Sequence, residues 1–446
     1  MPRAGTLVSL FGAMFDQSRT VAATSDDRPI IEQCRTLMSA RGEASTLRLA
    51  RSILATYRTL SEDDRLAFYR YLADELDIDG TNIARHATAY EADPTPEHFQ
   101  ALMTAAEPLR QTLFRKLNQA EGATAQLVAL RNDLIDARKI DPAFARIDID
   151  LAHLFASWFN RGFLVLERID WSTPARILEK IIDYEAVHEI NDWNDLRRRT
   201  EPLDRRCYAY VHPRMPNDPL IFVEIALTKG VPASVQEVLA EDRTPLAPQD
   251  ADTAIFYSIS NCQRGLRGIS FGESLIKQVV ADLSSDLPQL KEFITLSPVP
   301  RLRTFVDASD EVPADLKATL AAAADAAEAG DRAPLDAMAG DLSTLVATAI
   351  ATRPRADGLP WDSVARFHLS NGAEFFNVLP GANLSPYGLA QSYGAMVNYR
   401  YKLADVEARS ERFVTERTIP LSRRVQSLIK DGKSLLRADA PTPEIT

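Results

Sequence analysis

The sequence predicts an α+β protein in two parts: a helical bundle over residues 1–160, then a mixed β-sheet flanked by helices over 161–446. Three observations carry this. Over the first part, apolar side chains recur at helical spacing and no β-rich run appears. From about residue 162, short runs rich in Val, Ile, Tyr and Phe take over, bounded by Pro, Asn, Asp and Gly. Among these, residues 254–297 follow the order strand, glycine-rich loop, helix, strand.

In the first part, Leu49, Ile53 and Tyr57 fall at i+4, with Leu60 closing the stripe. Ser61 followed by Glu62, Asp63 and Asp64 opens the next helix: a capping hydroxyl, then acids that suit the positive end of the dipole. Phe68, Leu72 and Leu76 continue the pattern, as do PTPEHFQALMTAAEPLRQTLFRKLN and ATAQLVALRNDLIDARK. Mutual burial of such faces predicts a bundle with a packing or oligomerisation role.

FLVLERIDW marks the change of composition, and Thr173-Pro174 then caps a helix expected over ARILEKIIDYEAVHEI. Glu185 and His188 in it form a Glu-x-x-His pair, half of a di-metal site; the chain has no second pair of that spacing. RCYAYVHP (206–213) and PLIFVEIALT (219–228) read as a hairpin. AIFYSIS (254–260) is a further strand, GESLIKQVVADLSSDL a helix, and EFITL a strand ending at Ser297. Residues 306–355 are Ala-rich, acidic and helical in pattern, and read as an insertion. ARFHLSNGAEFFNVL (365–379) and QSYGAMVNYRY (391–401) read as returning strands, which puts His368 on a strand; the tail ADAPTPEIT is expected to be disordered.

Composition narrows the class. At 446 residues, two domains are natural. A net charge of −11 argues against broad nucleic-acid binding. No apolar run approaches a membrane span, and the N-terminus lacks a signal-peptide core. Three distant cysteines give no disulfide framework, which points to a reducing cytoplasm, and the terminal Glu-Ile-Thr is not a peroxisomal address. The arginines at 197–199, 205 and 206 are either a solvated face or a local anion contact.

Two stretches carry chemistry. QRGLRGISFG places Gly265, Gly268 and Gly272 between strand and helix, where backbone N–H groups can approach a phosphate, with Arg264 and Arg267 adding charge. It is neither a Walker A loop nor a dinucleotide fingerprint. In LSPVPR, the two prolines hold Ser297 in extended backbone at the strand end. That exposes a hydroxyl where α/β folds commonly bind ligands, although Ser-Pro is also an ordinary turn opening.

The strand, Gly/Arg loop, helix and diverging strand resemble the coenzyme A site of GNAT-type acyl-CoA proteins. RIDWSTPARILEKIIDYEAVHEI, HPRMPNDPLIFVEIALT, AIFYSISNCQRGLRGISFG, TLSPVP, FHLSNGA and MVNYRY, in this order over about 160–402, resemble the malonyl-CoA decarboxylase family. The resemblance implies a GNAT-like mixed sheet behind a helical domain and a homo-oligomer, dimer or tetramer, formed through that domain. It places the catalytic serine on Ser297 and the catalytic histidine on His368, with Ser258 and Tyr401 beside them. It places malonyl-CoA binding on Arg264, Arg267, Gly268, Ile269, Ser270, Phe271, Gly272 and Glu273. Ser270 stands where members of the family can carry a glutamate, and FNVLPGANLSPYG replaces an INW-type segment with an aspartate.

The reaction so implied takes malonyl-CoA to acetyl-CoA and carbon dioxide. It leaves an enolate that fixed donors stabilise, each by roughly 3 to 4 kcal/mol, and requires no metal or organic cofactor. Histidine suits the final protonation at C2. Two other readings share the loop: an acyltransferase, and a non-catalytic acyl-CoA sensor. A serine hydrolase would need a Gly-x-Ser-x-Gly elbow, which Ser297 lacks.

Overall fold

The computed structural model describes residues 26–269 and 275–432. It divides into two compact units. One holds the described residues through Trp158 together with Arg264–Ile269; the other holds Phe159–Gln263 and the described residues after 274.

The first unit is helical. Helices Glu43–Thr59 and Glu62–Asp74 bury Leu49, Ile53, Tyr57, Phe68 and Leu72, the stripes read from the sequence. Ser61 accepts the Asp64 N–H at 3.2 Å and so sets the second helix's start. Buried charges in this core are paired, as burial requires: Arg110 with Asp77 and Asp150, Arg131 with Asp148. Helices Gly80–Ala92 and Pro96–Ala106 bury none of their residues and meet through Tyr90 and Phe99, ring centroids 5.8 Å apart.

Among the described residues, the second unit is built on an eight-stranded sheet. Its strands are β1 (Val165–Ile169), β2 (Arg205–Val211), β3 (Ile221–Thr228), β4 (Thr253–Asn261), β5 (Glu292–Thr295), β6 (Ser297–Pro298), β7 (Glu374–Leu379) and β8 (Met396–Tyr401). The order is β1-β2-β3-β4-β5-β8-β6, with β7 also on β8. All pairs are antiparallel except β4 and β5. That parallel ladder ends where Leu296 donates to the Phe256 carbonyl at 2.8 Å. Beyond it β4 continues along β3, whereas Ser297 and Pro298 pair with β8, so the two strands diverge. On one face, Ile177, Leu178 and Ile181 of helix Ala175–Tyr184 cover Cys207, Ala209 and Phe222.

Four expectations differ from what is found. The helix after Pro174 stops at Tyr184, where the Glu185 carboxylate reaches forward to accept the N–H groups of Val187 and His188 at 2.8 Å each. Glu185 and His188 therefore do not share a helix face. Residues 365–379 are not one strand: helix Ser363–Ser370 comes first, and Gly372 at φ +81° turns the chain into β7. His368 thus lies in the last helical turn. Third, the arginines of 197–206 are divided: Arg197 and Arg198 lie on a solvated face, paired with Glu201 and Glu241, whereas Arg199 and Arg205 are buried, Arg199 paired with Asp195 and Arg205 donating to the Val238 carbonyl. Arg206 donates to the Leu203 carbonyl. Fourth, Ser297 is buried rather than exposed. Residues 306–355 are helical, and helix Ala339–Thr352 buries every residue from Leu342 to Ile350. Among the described residues, no helix is long and apolar enough to cross a membrane. The tail from 433 and the first 25 residues lie outside the described residues.

Candidate active site

Period-two alternation along EFITLSP sends Thr295 and Ser297 to the same side of the sheet. Ser297 is 4% exposed, and its hydroxyl donates to Thr295 Oγ1 at 2.8 Å. His368 Nε2 lies 3.1 Å from Ser297 Oγ. On the far side of the ring, Nδ1 lies 2.8 Å from the Tyr401 hydroxyl. Tyr399, two positions earlier on β8, stacks on the imidazole with centroids 4.6 Å apart and planes 21° apart. Three buried groups from three elements thus form one line of bonds: Tyr401 on β8, His368 on the helix, Ser297 on β6.

The helix is fixed at both ends. Asp362 caps it, accepting the Ala365 N–H at 2.7 Å. At the other end, a Cβ on Gly372 would meet the Val406 carbonyl oxygen at 2.0 Å, so only glycine fits. A histidine in a last turn normally gains from the helix dipole as a cation. Here burial wins and pushes the His368 imidazole down to about 3, which keeps it neutral at physiological pH. Burial also pushes the Asp362 carboxyl up to about 6 and raises the Tyr401 phenol well above its ordinary value.

Ser258 stands outside this line. The register of β3 and β4 shifts between Glu224 and Ile225, which sets Ser258 opposite Glu224. Its hydroxyl lies 2.7 Å from both carboxylate oxygens of Glu185, and the Ser260 hydroxyl donates to the same carboxylate at 3.2 Å. Glu185, first noted for a metal pair, is therefore the partner of the FYSIS serines. Glu224 beside them is fully buried, and its carboxyl is pushed up to about 8, chiefly by burial.

The glycine loop is described up to Ile269. Arg264 is held by Asp136 in a double contact at 2.6 and 2.7 Å. Arg131, buried and paired with Asp148, donates to the carbonyls of Gly265 and Arg267 at 2.7 and 3.0 Å. Gly265 presses against the helix Ala123–Ala137: a Cβ there would meet the Val128 carbonyl oxygen at 2.1 Å. Gly268 has φ +83°, the Arg267 side chain is exposed, and Ile269 N–H bonds the Leu266 carbonyl at 3.0 Å. Ser270, Phe271, Gly272 and Glu273 lie outside the described residues.

Sequence reasoning missed Thr295, Tyr399 and Asp362, and read Glu185 only as half of a metal pair. Thr295 and Tyr399 were legible in principle, each being two positions from a chosen residue on the same strand face. Asp362 followed by Ser-Val-Ala is an ordinary N-cap pattern. Glu185 bonds Ser258 across 73 residues of sequence, and nothing local announces that pairing.

The chain is similar to known proteins over most of its length. The malonyl-CoA decarboxylase C-terminal domain matches residues 162–438, and the malonyl-CoA decarboxylase N-terminal domain matches residues 76–159. The crystal structure of malonyl-CoA decarboxylase from Rhodopseudomonas palustris is similar with a TM-score of 0.83 and 45% identity, over 89% of this chain and 98% of that one. The Agrobacterium vitis malonyl-CoA decarboxylase gives 0.84 and 44%, over 90% and 99%. The mitochondrial malonyl-CoA decarboxylase of Anser anser anser is 35% identical over 356 residues, 72% of this chain and 69% of its own length.

Proposed function

Because this chain belongs to the malonyl-CoA decarboxylase family, we propose that it converts malonyl-CoA to acetyl-CoA and carbon dioxide at the Ser297–His368 pair. The observation that carries the assignment is the 3.1 Å contact between Ser297 Oγ and His368 Nε2, made by two buried side chains 71 residues apart. The bond from C2 to the carboxylate breaks heterolytically and carbon dioxide leaves. Its electron pair stays on C2, delocalised onto the thioester oxygen as an enolate. One proton then passes from the pair to C2, and solvent restores it. His368 performs this as a neutral imidazole, whose conjugate base is far weaker than a thioester enolate.

Tyr401 orients the ring from Nδ1. Ser258, held by Glu185, is assigned to orienting the acyl group, and the loop from Arg264 to Glu273 to binding malonyl-CoA. The support for the loop is Arg131, which anchors two of its carbonyls while the Arg267 side chain stays exposed. The chain is further proposed to form a homo-oligomer, a second copy docking on helices Gly80–Ala92 and Pro96–Ala106, where Phe99 and Met103 are 50% and 55% exposed. A cytoplasmic location belongs to the same reading, with all three cysteines buried as free thiols.

The deciding experiment is mass spectrometry of the products from malonyl-CoA in D₂O. Acetyl-CoA carrying deuterium is expected from the wild type, with the rate lowered about 10²- to 10⁴-fold in Ser297→Ala and His368→Ala. Malonyl-CoA returned unchanged by the wild type would sink the assignment.

A further inference from the structure

A serine hydroxyl has one proton to give, and the structure shows where that of Ser297 goes. It is donated to Thr295 Oγ1 at 2.8 Å, an oxygen that also accepts the backbone N–H of Tyr399 at 3.0 Å. Thr295 is fully buried, and its position is fixed by the ladder it shares with β4. With its proton so placed, Ser297 can only accept from its second partner, His368 Nε2 at 3.1 Å. That nitrogen must then carry hydrogen. A neutral imidazole has one ring proton, so Nδ1 is bare and the Tyr401 hydroxyl, 2.8 Å away, donates to it.

We propose that Thr295 is a positioning residue: by taking the Ser297 hydroxyl proton, it fixes His368 as the Nε2–H tautomer, with the ring proton on the Ser297 side. This rests on the Ser297–His368 reading above and says which of the two holds the proton ready for transfer. All three bonds run one way, from Tyr401 to His368 to Ser297 to Thr295. Without the threonine hydroxyl, the Ser297 proton loses its acceptor and turns to the Nε2 lone pair. The ring proton then moves to Nδ1, facing Tyr401, and the imidazole has nothing to give on the serine side. A valine at 295 keeps the shape and removes only the acceptor.

The test is a long-range ¹H–¹⁵N correlation spectrum of the full-length protein labelled with [¹⁵N]histidine, recorded without substrate. His368→Gln identifies the signals of His368 among the six histidines. The wild type is expected to show the Nε2–H pattern. Thr295→Val is expected to move it to Nδ1–H and to lower kcat at least about tenfold with KM for malonyl-CoA unchanged. Thr295→Ser should restore the tautomer and most of the rate. An Nδ1–H pattern in the wild type overturns the proposal, and so does a Thr295→Val protein whose tautomer stays as in the wild type, whatever its rate. Should Thr295→Val fail to fold, the wild-type spectrum still decides. Because the spectrum is taken on resting protein, failure to turn over malonyl-CoA would count against the decarboxylase reading alone.

Discussion

Tyr401 holds His368 by the nitrogen that faces away from Ser297: its hydroxyl lies 2.8 Å from Nδ1, and both side chains are buried. The imidazole is thereby fixed in rotation while its other nitrogen stays directed at the serine.

Tyr401→Phe removes only that hydroxyl. It leaves Nδ1 buried without a partner, at a cost of about 1–3 kcal/mol. Expressed in the transition state, this is a fall in kcat of roughly five- to 150-fold with little change in KM. Steady-state kinetics on malonyl-CoA check it, and a change in KM with kcat intact would contradict the ring-orienting role.

Acid should destabilise the fold through its buried histidines. Burial holds His368 down to about 3 and, largest among its causes, His188 down to about 4. Both are neutral in the native state, whereas the unfolded chain protonates them near 6.5. Their contribution is complete above pH 6.5 and is lost as pH falls from there through 4 to 3. Thermal midpoints of wild type and His368→Gln, compared at pH 7 and pH 5, should show a shallower acid loss in the variant. The kcat profile of the wild type should have no inflection near 6.5 from His368.

Asp362 gives the opposite slope. Its carboxyl is raised by burial from 3.8 to about 6, so the native state keeps a proton that the unfolded chain releases. Stability from this group falls as pH rises from 3.8 past 6. Asp362→Asn preserves the cap and abolishes that fall, so it should gain on the wild type in thermal midpoint at pH 8 relative to pH 4. Asp362→Ala loses the cap and about 1 kcal/mol at either pH.

In the loop, Gly265→Ala forces a methyl against the Val128 carbonyl oxygen, 2.1 Å away, and the backbone must shift. Gly268→Ala meets no neighbour within 4 Å and suffers only the left-handed backbone cost, about 1–2 kcal/mol. Gly265→Ala should therefore raise KM for malonyl-CoA more than Gly268→Ala, both leaving kcat nearly intact. The reverse order would place ligand contact away from the Arg131-anchored segment.

Ser258→Ala leaves Glu185 with the Ser260 hydroxyl and two backbone donors. The carboxylate stays satisfied, so the fold should hold and kcat should fall by about tenfold, less than for Ser297→Ala. Equal losses in the two variants would make Ser258 a direct participant in proton transfer.

Much of this was legible in the sequence because it is local. Ser61 capping, the i+4 stripes and the 206–228 hairpin depend on neighbours a few residues away, and Pro298 and Pro300 hold Ser297 extended from within its own hexapeptide. The words around His368 point to it, yet its helix reads as a strand. The apolar run of FHLSNGAEFFNVL spans both elements, and the Asn371-Gly372 stop was the sign that they are two. What the sequence could not show is which groups meet across the sheet. The partners of Ser258 and His368 arrive from 73 and 33 residues away, and pairing at that range is decided by the register of β3, β4 and β8.

The six residues Arg264–Ile269 belong to the helical unit although the chain on both sides belongs to the other. A protein cut after Trp158 would thus carry the Ser297–His368 pair but leave behind Arg131, the donor to the carbonyls of Gly265 and Arg267. Truncation, fusion or exchange of the helical part with that of a homologue is for this reason an alteration of the glycine loop as well. The boundary that an engineer would read from the linear chain is not the one along which the molecule can be taken apart.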